Sequence, residues 1–158
     1  MDKPTASTPP TSIANVAALL QPIFGARPEL WSRFQTFYDS MWTSGQISRR
    51  VLEICRLRIA SIHDCSAEWS FRTVDVFVSD VELDALRRGD FSAFDHCEQA
   101  ALHVAEKFPF QHDDIADAEV QAIEAGYGSA AAVALLTAVA FFDVRCRWHL
   151  VMSSNVPN

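Results

Sequence analysis

Five residues whose types could do chemistry fall within one 25-residue block, Ser48 to Arg72 (SRRVLEICRLRIASIHDCSAEWSFR). Glu53 lies among apolar residues and is a candidate acid/base, since burial without a partner would raise its pKa toward a useful range. Arg49 and Arg56, one helical turn away on either side, could instead hold it in a structural salt bridge. Cys65 sits at a break in the helical pattern, where a following helix N-terminus would lower its pKa and make it a nucleophile or redox thiol. The plain alternative is a small buried apolar side chain. Glu68, Trp69 and Arg72 share about one turn. Glu68 and Arg72, at i and i+4, could pair with each other. Otherwise Arg72 could hold a carboxylate, Glu68 could move a proton and Trp69 could wall a pocket.

The block carries five arginines against three acids in a chain whose net charge is −7. A local reversal of sign is where an anionic group is most welcome, although arginines paired with acids on neighbouring helices would look the same. The partner expected is therefore a small anionic organic substrate. The acidic, Lys-poor chain is a poor candidate for nucleic acid or for anionic membranes. Five histidines form no HxxxH or HxH motif. Cys146 and His149 share a helix face without an evident third ligand, so no metal is expected. Phosphate-binding, dinucleotide-binding and GxSxG motifs are absent, and no cofactor is expected. Cys55, Cys65, Cys97 and Cys146 make no CxxC pair, and residues 1–10 lack the apolar run of a signal peptide, so a cytoplasmic protein with reduced thiols is expected.

The elements that position the block read as about seven or eight helices with no sheet. A chain of 158 residues with 49% hydrophobic and 21% charged residues suits one domain, residues 12–158, behind a loose Pro/Ser/Thr-rich tail at 1–11. Helices are expected from Ser12 to Gln21, after Pro28 to near Gly45, and from Ser48 (as N-cap) to a break at 63–66. Others are expected from about Ser66 to Phe77, from a cap at Asp80 to Gly89, and from a Ser92/Asp95 capping box to Phe108. The last two run from Asp117 to Gly126 and from Ser129 to about Met152. The apolar stretch 130–142 is too short for a bilayer span and reads as a buried core helix.

Arg50–Val51–Leu52–Glu53, Leu57–Arg58–Ile59–Ala60 and Cys65 resemble the carboxymuconolactone decarboxylase and alkylhydroperoxidase D-like superfamily. Flanking segments extend the likeness over roughly residues 21–157: 23–30, 81–86, 91–108, and the apolar end down to Val156–Pro157. The resemblance implies an all-α bundle and a homotrimer or homohexamer. In the family's peroxide-reducing members a Glu, a CxxC and a His form a thiol and proton-relay set. Glu53 matches the Glu and Cys65 the first Cys. Glu68 stands at the second Cys position and Arg72 at the His position. Arginine stays protonated and cannot relay protons, but it binds carboxylates bidentately. The substitutions point first to a cofactor-free lyase or isomerase acting on a small carboxylate or lactone. In that reading Glu53 and Glu68 transfer protons, Arg72 anchors and Trp69 forms a wall. The alternatives are a one-cysteine peroxide reductase using Cys65, or a non-catalytic oligomeric binding protein.

Overall fold

The computed structural model describes Leu20 and residues 24–153, and among these it is all-helical with no strand. Seven α-helices follow in order: α1 Pro28–Thr43, α2 Arg49–Ile62, α3 Ser66–Ser70, α4 Asp80–Arg88, α5 His96–Lys107, α6 Asp117–Tyr127 and α7 Ser129–Ser153. A 3-10 turn, His112–Asp114, lies between α5 and α6. The expected N-terminal tail lies outside the described residues, as does the Ser12–Gln21 helix apart from Leu20.

Helix α2 is the axis of the bundle. Every residue from Val51 to Ala60 is buried, because α3, α4, α5 and α7 pack around it. The helix therefore has no solvent face, and Glu53, Arg56 and Arg58 are carried inside with its aliphatic residues. Ser48 caps it as expected, its hydroxyl accepting from Val51 N at 3.2 Å. The break at its end is real: Asp64 turns at φ +50° and Cys65 opens α3.

On α1, Phe34, Tyr38 and Trp42 are buried while Leu30 and Phe37 stay exposed. Phe34 joins Phe24, Trp31, Phe141 and Trp148 in an aromatic cluster that seats α1 on α7.

Several boundaries differ from the sequence expectation. The helix expected to reach Phe77 stops at Ser70. Arg56 Nη1 and Nη2 donate to the carbonyls of Glu68 and Phe71, and Thr73 N donates to Glu53. These buried partners replace the i→i−4 ladder and turn the chain into a strap across α2. Capping shifts by a few residues elsewhere. Ser79, not Asp80, caps α4 through a reciprocal box with Glu82. Asp95, not Ser92, caps α5 with Glu98, while Ser92 bonds Asp90. Helix α6 begins after Ala116 rather than being capped by Asp117 and runs past Gly126 to Tyr127.

The apolar stretch 130–142 belongs to the 25-residue helix α7. The segment Ser129–Met152, mean hydropathy 1.6, is long and apolar enough to cross a membrane by length and composition alone. In this fold it is a core helix, and it buries Asp143, Arg145 and His149 against partners on other elements.

Gly89 ends α4 in the left-handed conformation, φ +71°. A Cβ there would lie 3.0 Å from Arg58 Nη2, and Arg58 is tied to Glu106 and to the Leu86 carbonyl. Gly89→Ala should cost about 1–2 kcal/mol. Thermal denaturation should show this as a Tm lowered by roughly 3–6 °C.

Candidate functional site

Two buried carboxylates organise the centre, and both are fully engaged. Glu53 Oε1 and Oε2 accept from Arg56 Nη2 and Nε at 2.8 and 3.0 Å, and from Thr73 N and Oγ1 at 3.1 and 2.6 Å. Burial pushes the Glu53 carboxyl up. The Arg56 charge and the hydrogen bonds from Arg56 and Thr73 outweigh that, and its pKa falls below the ordinary carboxylate value. Of the two sequence alternatives for Glu53, the structure shows the salt bridge to Arg56: the carboxylate is buried but partnered, and its pKa is lowered rather than raised.

Glu68 is held still more firmly. Arg145 Nε donates to Oε1 at 3.0 Å, and Arg145 Nη2 lies 2.7 Å from the same oxygen as a charge contact outside hydrogen-bond alignment. Arg56 Nη1 lies 3.3 Å from Oε2, and His149 Nε2 is 3.1 Å from Oε1. Burial acts to raise its pKa, but Arg145, the His149 hydrogen bond and Arg56 together pull it down to about 2. Tyr38 closes this cluster with its ring 4.4 Å from the Arg145 guanidinium.

Arg72 does not pair with Glu68. Its Nη1 donates to the Trp69 carbonyl, and to the Phe71 carbonyl at 2.7 Å. Its guanidinium lies 5.3 Å from the Trp69 ring. Of the other arginines of the block, Arg50, Arg56 and Arg58 follow the plainer pattern of ion pairs, and Arg49 does not. Arg50 pairs with Glu82 and Glu98, Arg58 pairs with Glu106, and Arg49 reaches the Val74 carbonyl.

Cys65 lies beside this ionic cluster at the junction of α2 and α3, and Cys146 of α7 is the neighbour that acts most strongly on its thiol. Cys146 is the largest influence on Cys65 and lowers its pKa. Burial opposes it, while the Glu68 backbone N–H and the His149 charge reinforce it, and the thiol falls to about 6. Cys65 in turn, with burial, pushes Cys146 up. The two thiols are therefore unequal, Cys65 the more acidic and Cys146 the less. Both cysteines are free, and Cys65 is 2% exposed. Cys55, by contrast, is an inert buried thiol whose pKa burial pushes up.

Cys65 forms part of the wall of a pocket of about 480 Å³, lined by Ala60, Ser61, Asp64, Cys65, Ser66, Trp69 and Arg87. Trp69 is thus a wall residue of the Cys65 pocket. Arg72 borders a different depression formed by residues 72–78. Among the described residues no group of three His, Cys, Asp or Glu side chains is placed to hold a metal ion.

The structure therefore brings together Cys65, Glu68 and Trp69, and sets Glu53 one layer behind them through Arg56. Sequence reasoning missed Arg56 as the bridge between the two carboxylates, and Cys146, Arg145 and His149 as their partners from α7. A signal for the last three was present: a cation, a thiol and an imidazole within five positions of a helix that begins as an apolar run. Arg87 was also missed, since a basic residue in the last turn of a short surface helix looks like an ordinary solvated complement to the helix dipole.

No protein-family model matches this chain, and a comparison with curated proteins returns no match.

Proposed function

We propose that this protein is a thiol-dependent peroxide reductase in which Cys65 is the peroxidatic thiolate and Cys146 the resolving thiol. The observation that carries the reading is Cys65 in the wall of a pocket, with its pKa lowered to about 6, most strongly by Cys146. The Cys65 sulfur attacks the terminal peroxide oxygen. The O–O bond breaks, the alkoxide leaves with a proton as an alcohol, and Cys65 becomes a sulfenic acid. The Cys146 sulfur then attacks the Cys65 sulfur. The S–S bond forms, the S–O bond breaks, and hydroxide departs as water with the Cys146 proton. A small or protein dithiol restores both thiols by exchange.

The resolving role moves from the second position of a CxxC, where this chain has Glu68, to a residue 81 positions after Cys65 on another helix. The lyase reading has less support. Glu68, held near 2 by Arg145, His149 and Arg56, is a poor proton donor at neutral pH. Arg72, turned onto backbone carbonyls, is not free to anchor a carboxylate. The thiol cycle fits a reducing compartment such as the cytoplasm. The homotrimer or homohexamer implied by the family resemblance would use the exposed Leu30 and Phe37 of α1.

The test is addition of one equivalent of hydrogen peroxide to the reduced protein, followed by intact-mass and peptide mapping. Loss of two hydrogens and a Cys65–Cys146 cross-link are expected, with multiple turnovers once a dithiol is supplied. Unchanged mass and no peroxide consumption would remove the reading.

A further inference from the structure

Two guanidiniums converge on one indole at the Cys65 pocket. Arg87 lies 4.5 Å and Arg72 5.3 Å from the Trp69 ring. Neither is in an ion pair with a carboxylate among the described residues. Arg50, Arg56, Arg58, Arg145 and Arg147 all are. Burial first, and then the charge of Arg56, push the Arg72 pKa below its ordinary value; Glu53 opposes this and Arg87 adds to it. Arg87 lines the pocket itself and is exposed. Asp64 is the one acid and Arg87 the one base on the pocket wall.

Trp69 offers an apolar, stackable face, and a volume of about 480 Å³ admits a ring-sized organic group. Hydrogen peroxide would use neither feature. We infer that Arg87 and Trp69 select an organic hydroperoxide with an apolar or aromatic body and a carboxylate, Arg87 pairing with the carboxylate while Trp69 packs the body beside Cys65. This inference rests on the peroxide-reductase reading for its chemistry, but its binding half is testable without turnover.

The probe is 4-isopropylbenzoate, an unreactive mimic of a carboxylated aromatic hydroperoxide, titrated into the reduced protein by calorimetry beside its methyl ester. Saturable binding of the carboxylate is expected, with the ester at least tenfold weaker. Arg87→Gln should weaken the carboxylate at least tenfold, about 1.4 kcal/mol. Arg88→Gln, an exposed neighbour on the same helix, should not. The bound carboxylate should also slow alkylation of Cys65 by iodoacetamide, which places it in this pocket. Equal binding by Arg87→Gln, equal binding of acid and ester, or no saturable binding would overturn the anchor. The two readings fail separately. Disulfide formation with hydrogen peroxide but no Arg87-dependent binding removes only the anchor. Arg87-dependent binding without disulfide formation removes only the redox cycle and leaves an anion pocket.

Discussion

Cys65→Ser should abolish peroxide consumption, whereas Cys146→Ser should consume one equivalent and stop. The two thiols are held unequally, so their losses should differ in kind. Without Cys65 there is no thiolate at the pocket. Without Cys146 the sulfenic acid forms but no S–S bond can follow, and intact mass should show one added oxygen on Cys65 in place of the loss of two hydrogens. The pH dependence has a definite sign. Alkylation of Cys65 in the wild type should rise through about pH 6 and be flat at neutral pH. Cys146→Ala removes the neighbour that lowers Cys65 most. The titration should then move up, toward the ordinary thiol value of about 8.5. A wild-type profile already centred there would mean that the thiol pair does not poise Cys65, and the peroxidatic assignment would fall with it.

Glu68→Gln should be the most damaging substitution to the fold. It keeps the side-chain shape and removes the charge that Arg56, Arg145 and His149 surround. Removing one partner of a buried ionic cluster leaves the others uncompensated and costs about 3–5 kcal/mol. In a chain of this size that is a Tm drop on the order of 10 °C. The acid limb carries the same signature. Glu68 has a folded pKa of about 2 against an ordinary 4.5. A depressed carboxylate contributes stability that is present above its unfolded pKa and is lost as pH falls through the folded one. Glu53 is depressed too and acts in the same direction. Denaturant unfolding of the wild type should therefore weaken steadily from about pH 5 downward, and Glu68→Gln should flatten that slope. An unaltered slope would show that the cluster is neutral with respect to folding. Such a cluster adds little net stability over a well-packed apolar core. Its consequence here is placement: it holds α2, α3 and α7 in the register that brings Cys65 to Cys146.

The helical class and most helix positions were legible in the chain itself, because periodicity, Pro28, Ser48 and Gly89 act through the backbone within a few residues. The break before Cys65 was legible for the same reason. Capping was less so: Ser79 and Asp95 prevailed over Asp80 and Ser92 because each also has a Glu three residues on that can bond back. The early end of α3 was not legible, since its cause is the Arg56 guanidinium and the Glu53 carboxylate of another helix taking over the backbone partners. The site divides along the same line. Glu53, Cys65, Glu68, Trp69 and Arg72 stand out by type and spacing. Their states depend on residues far away in sequence: Arg145 and His149 hold Glu68, Cys146 holds Cys65, and Arg87 faces Trp69. Local sequence determines which groups a turn of helix presents. Only the packing of α2 against α7 decides which proton each of them keeps, because a pKa in a dry interior is set by the nearest charges whatever their distance along the chain.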